Sequence, residues 1–161
     1  MSITLINVGV AQVKNAQAPA VLRTILGSCV GICVYERMKR IGGLAHILLP
    51  SDQFGGKAPE KYADTAIPLL VDTLIKQGAQ KEFMSAKIVG GASMFKFSQN
   101  VSLGQIGNKN IMTTKTVLEK LGIPVVEEDT GGNVGRVIDF FLEDGRLKVK
   151  AGGVEKYYYK N

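Results

Sequence analysis

The sequence predicts an α+β fold, two main helices packed on a largely antiparallel or mixed β-sheet, and three observations carry that reading. Short segments of alternating apolar residues recur along most of the chain, and two longer segments repeat their apolar residues at helical spacing. Several of the strand segments are joined by turns too short for a helical crossover. The 161 residues fit one domain spanning 1–161, long enough to bury about 70% of its extended surface without staples.

Residues 3–13, ITLINVGVAQV, alternate and are β-branched, as a first strand requires. APAVLRTIL leads through a proline loop into a second strand. CVGICVYE and IGGLAHILL are apolar runs separated by the charged RMKR, which reads as a hairpin crossing the core. SDQFGGKAPEK reads as an exposed loop. Pro59 suits the first turn of a helix with Tyr62, Ala63, Ala66, Ile67, Leu70, Leu74 and Ile75 on one face. That helix should kink at Pro68 and end near Gly78. AKIVGGASMF is a strand entering a glycine turn, and NIMTTKTVLEKLG a second helix closed by Gly122. IPVVEEDTGGNVG repeats the pattern of strand then glycine loop. RVIDFFLEDGRLKVKA carries the Asp144-Gly145 signal of a hairpin, and one tyrosine-rich strand follows it.

Charge and cysteine content narrow the function classes. The net charge of +6 favours acidic partners. The tail VEKYYYKN mixes lysine with tyrosine, but an edge strand explains it without nucleic acid, and no nucleic-acid module accompanies it. No apolar run reaches the ~20 residues of a membrane span, so membrane insertion is not expected. Nothing basic precedes the N-terminal apolar segment, so a cytoplasmic chain is expected. GGASM and TGGNVG lack the lysine of a phosphate-binding loop. Cys29 and Cys33 are the only cysteines; on one strand their Cα atoms would stand ~13 Å apart, beyond disulfide reach. Their spacing with the single His46 matches no common zinc site. Neither a metal nor an organic cofactor is expected.

The hairpin brings the sole histidine toward one thiol. With RMKR as the turn, paired residue numbers sum to 77, His46 faces Gly31, and Cys29 lies diagonally on the same face at ~7–8 Å. A loop two residues tighter gives 75 and sets Cys29 directly opposite His46, whereas an even sum separates them. A thiol beside an imidazole is a nucleophile with its proton carrier. Gly27 and Ser28, immediately before Cys29, would let a substrate carbonyl approach the backbone N–H groups. The competing reading makes both cysteines small apolar fillers of an inner strand and His46 a core imidazole.

TILGSCVGICVYE, IGGLAHILLP, KYADTAI, AKIVGGASMF and EEDTGGNVGR, in this order and spacing, resemble the chemoreceptor glutamine deamidase family, CheD. The resemblance implies an α/β sandwich similar to the catalytic domains of bacterial glutamine-deamidating toxins. It implies a protein-glutamine glutaminase that converts glutamines on the cytoplasmic helices of chemoreceptors to methylatable glutamates, without a cofactor. It assigns the nucleophile to Cys29, the catalytic histidine to His46 and an upstream threonine to Thr24. It also implies a second partner, a CheC-type chemotaxis phosphatase, and with it an alternative role as a regulatory binding module.

Overall fold

The computed structural model describes residues 3–53, 55–93 and 105–161. Its strands are β1 Leu5–Asn7, β2 Gln12–Gln17, β3 Val21–Leu26, β4 Val30–Glu36, β5 Ile41–Ile47, β6 Met84–Gly90, β7 Val125–Thr130, β8 Arg136–Phe141, β9 Leu147–Ala151 and β10 Val154–Tyr158. The described helices are α1 Ala63–Lys76 and α2 Ile106–Leu121. One sheet has the order β1-β3-β8-β9-β10 and the other β2-β5-β4-β6-β7. The α+β class holds, but the strands divide between two mixed sheets where the sequence reading pictured one.

The two sheets face each other, and both helices cover the far side of the second. One apolar core lies between the sheets and includes Leu22, Cys33, Tyr35, Leu44 and Phe140. The other lies under the helices and includes Ile32, Val34, Ala45, Leu70, Ile88 and Leu118. Strand β4 thus feeds alternate side chains to two cores, and every one of its residues is buried. A strand covered on both faces carries an unbroken apolar run, which is why CVGICVYE has no polar alternation.

The hairpin forms in the 77 register, with Glu36 opposite Ile41 and Gly31 opposite His46. Its buried Glu36 carboxylate explains the choice. One oxygen accepts the Met38 and Lys39 N–H groups of the turn, and the other accepts the Gln80 N–H. A loop two residues tighter would pull those donors into the strands and strand the carboxylate in the core.

Three expected elements differ in detail. Residues 3–13 do not make one strand: the chain reverses near Gly9, whose N–H donates to the Gln12 side chain at 2.7 Å. It leaves β1 in the first sheet for β2 in the second. Pro59 opens a separate 3₁₀ turn, Pro59–Lys61, because extended Tyr62 interrupts the helix to bridge Leu49. Helix α1 then begins at Ala63 and continues through Pro68 to Lys76, with Ile75 outside its buried stripe. Helix α2 starts four residues before the expected Asn110 and ends at left-handed Gly122. The end of the AKIVGGASMF segment lies outside the described residues.

Strand β6 ends in a backbone that only glycine suits. Gly90 has φ +108°, and a Cβ there would sit 2.4 Å from the Cys29 carbonyl oxygen. Gly90→Ala should therefore cost at least about 1–3 kcal/mol from backbone strain alone. Thermal unfolding should read this as a melting temperature lower by about 2–12 °C. An unchanged melting temperature would rule out this close approach.

Candidate active site

The site is assembled where three elements from both sheets meet. Cys29 closes the short turn Gly27–Cys29 that carries the chain from β3 in the first sheet to β4 in the second. Two backbone bonds dock this turn on the segment after β6. Gly91 N–H donates to the Cys29 carbonyl at 2.8 Å, and Ala92 N–H donates to the Gly27 carbonyl at 3.0 Å. The turn is thus held by main chain on a second element.

His46 lies on β5, two residues along from Leu44, so its ring faces the layer between the sheets. There it meets Thr24 of β3, and Nδ1 stands 2.7 Å from Thr24 Oγ1. The threonine hydroxyl also lies 2.6 Å from the Val8 carbonyl. A hydroxyl has one proton and a carbonyl only accepts, so the Thr24 O–H donates to Val8 and the Nδ1–H donates to Thr24. This chain fixes the tautomer. Nε2 carries the lone pair, and it is buried without a hydrogen-bond partner among the described residues.

Burial holds His46 below its ordinary pKa, opposed in part by the nearby Val8 carbonyl. Burial also raises the Cys29 thiol, and the residue's own backbone N–H offsets this only partly. The resting pair near neutral pH is therefore a thiol and a neutral imidazole, not a preformed ion pair. With a neutral ring and a residue only 8% exposed, desolvation outweighs the lowering that a charged imidazole would give the thiol.

The two cysteines separate cleanly. Cys33 is 1% exposed, faces Leu44 and Lys87 across the sheet, and is pushed up to about 12 by burial. It fits the filler reading. Cys29 stays at the rim of the same core, on the turn that leads into β4, two residues before the Gly31 that pairs with His46.

A cleft of about 510 Å³ opens where β1 stops covering β3, walled by Val8, Gly9, Arg23, Thr24, Ile25 and His46. It gives a path to the threonine and the ring; Cys29 is not one of its walls. Among the described residues no group of three His, Cys, Asp or Glu side chains is placed to hold a metal, and no helix is long and apolar enough to cross a membrane.

One residue of the neighbourhood escaped the sequence reading. Asn110 of α2 is fully buried and donates to the Ser28 carbonyl at 3.2 Å and the Leu48 carbonyl at 3.1 Å. Its only signal in the sequence is an asparagine inside the buried stripe that α2 otherwise fills with Gly107, Ile111, Thr114 and Leu118.

Residues 48–151 match the family model described as CheD chemotactic sensory transduction. A "Probable chemoreceptor glutamine deamidase CheD" of Clostridium novyi is 49% identical over 92% of this chain and 94% of its own. An archaeal protein of the same description, from Methanococcus vannielii, is 44% identical over 94% and 98%. The family-model match begins after His46, whereas these alignments leave too short a remainder to omit residues 24–46. A solved Neisseria meningitidis protein of the DUF152 family shares the fold alone, with 9% identity, a TM-score of 0.52, and 82% of this chain and 65% of that one covered. With a family model matched over residues 48–151 and relatives 44–49% identical across more than nine-tenths of its length, the chain belongs to the CheD family.

Proposed function

We propose that this protein deamidates glutamine side chains on the cytoplasmic helices of chemoreceptors, working in the cytoplasm with Cys29 as nucleophile, His46 as proton carrier and Thr24 as the group that orients the ring. The observation that carries the reading is the Val8–Thr24–His46 chain, which dedicates Nδ1 to the protein and leaves Nε2 bare on the strand that pairs with β4, the strand that the Cys29 turn opens. A core histidine kept for packing would have both nitrogens satisfied.

The chemistry follows from that tautomer. As glutamine binds and water leaves, Nε2 takes the Cys29 proton and the thiolate attacks the side-chain amide carbon. In this free state the sulfur and ring share no hydrogen bond, and such contacts commonly tighten only when substrate is bound. Backbone N–H groups of the Gly27–Cys29 turn are the proposed donors to the tetrahedral oxyanion, with glycine at position 27 keeping the approach open. The imidazolium then gives its proton to the departing nitrogen, releasing ammonia and leaving a thioester. Water attacks the thioester carbonyl, Nε2 receives its proton and returns it to sulfur, and glutamate is released.

The test is incubation with purified receptor cytoplasmic fragments, reading ammonia release and the glutamine-to-glutamate mass change. Both are expected. Neither product, combined with tight binding of a CheC-type phosphatase, would replace this reading with a regulatory binding role.

A further inference from the structure

We infer that Asn110 is a positioning residue that sets the separation between the nucleophile's turn and the histidine's strand. This rests on the Cys29–His46 reading above. Its two N–H donors reach the carbonyl of Ser28, one residue before Cys29, and that of Leu48, two residues after His46. Both partners are carbonyls, so the amide orientation is settled: Nδ2 must face them, and Oδ1 points away.

Side chain Oδ1 finds no partner among the described residues, although it is buried. Asparagine is also a poor helix former compared with leucine. At a fully buried position in the stripe between Gly107 and Leu118, an apolar side chain would serve stability better. What asparagine adds is a planar fork that ties two segments far apart in sequence.

Helix α2 is seated closely enough to act as the reference for that fork. A Cβ on Gly107 would lie 2.4 Å from the Gly91 carbonyl oxygen, and Gly91 N–H is the donor that holds the Cys29 carbonyl. The same helix turn thus touches the strap under Cys29 and, three residues on, bridges to the loop after His46. Loss of the fork would let the Ser28 and Leu48 carbonyls part, moving the sulfur relative to Nε2 without touching either. Displacements of about 1 Å at reacting groups cost on the order of 10²-fold in rate.

The test compares wild type with Asn110→Leu, which fills the space without donors, and Asn110→Ser, which keeps one shorter donor. Melting curves and circular dichroism define the folded fraction, and deamidation of receptor fragments gives kcat and KM. Folded Asn110→Leu should lose about 10²-fold in kcat with KM within a factor of about three, since Asn110 is fully buried and its replacement presents nothing new at the surface. The pH dependence of Cys29 alkylation by iodoacetamide should shift in both variants, and Asn110→Ser should retain more activity than Asn110→Leu. Unchanged kcat and alkylation profile in a folded variant would overturn the inference. So would a loss matching only the unfolded fraction, or failure of both variants to fold, either of which makes Asn110 a packing residue. If wild type is alkylated normally but never deamidates receptor fragments, the proposed function fails, and the alkylation profiles still decide the role of Asn110.

Discussion

Replacing Cys29 with alanine should abolish deamidation, with a loss of about 10⁴-fold or more in kcat, because the thiolate that forms the acyl intermediate is removed and a hydroxyl is a far weaker nucleophile at neutral pH. Ammonia release and the mass of the receptor fragment read the loss directly. The fold should survive: the side chain is small, at the rim of the inter-sheet core, and its removal should cost only about 1 kcal/mol. Cys33→Ala should show the opposite profile. That thiol is 1% exposed among Leu44, Phe140 and their neighbours, so its loss should lower the melting temperature while turnover of the folded enzyme persists. Turnover by Cys29→Ala within about tenfold of wild type would leave the mechanism without a nucleophile.

His46→Gln should lose about 10²–10⁴-fold, the usual contribution of a positioned acid–base group. Thr24→Val should lose less, about 10²-fold, since it keeps the ring but removes the acceptor for Nδ1–H and leaves the Val8 carbonyl without its donor. The pH profile has a definite sign. Only the neutral ring can take the thiol proton, and burial places its pKa below the ordinary 6.5. Thus kcat/KM should fall as pH drops through a midpoint below 6.5, and should level off on the alkaline side of that midpoint. Stability runs in the same direction. The unfolded chain binds this proton at higher pH than the folded one, so the contribution present above 6.5 is lost on acidification. A midpoint above 6.5 in wild type would mean that the titrating group is not this imidazole.

The hairpin shows how far local sequence reaches. Local sequence offered several registers, of which the odd sums put the histidine on the thiol's face and an even sum turns it away. It left both 77 and 75 open. Glu36 decided between them, through a carboxylate that captures turn and loop donors as distant as Gln80. A charged residue beginning a turn looks like ordinary surface in the sequence, and only its burial under neighbouring elements gives it that task.

Thr24 and Asn110 mark the other limit. The threonine's distance from Cys29 along the chain says nothing of its use, because β3 and β5 belong to different sheets and meet face to face. Asn110 bridges carbonyls 82 and 62 positions away, a relation with no periodicity to detect.

From its residue order alone this protein declared its strands and helices, the hairpin that carries a lone histidine toward a thiol, and a family resemblance, because each is written in contiguous patterns of polarity and turn chemistry. The division into two sheets, the separation of a rim cysteine from a core cysteine, and the fixed tautomer of His46 were decided by the tertiary structure. Each depends on which buried polar groups find partners across elements, and burial is a property of the packed whole.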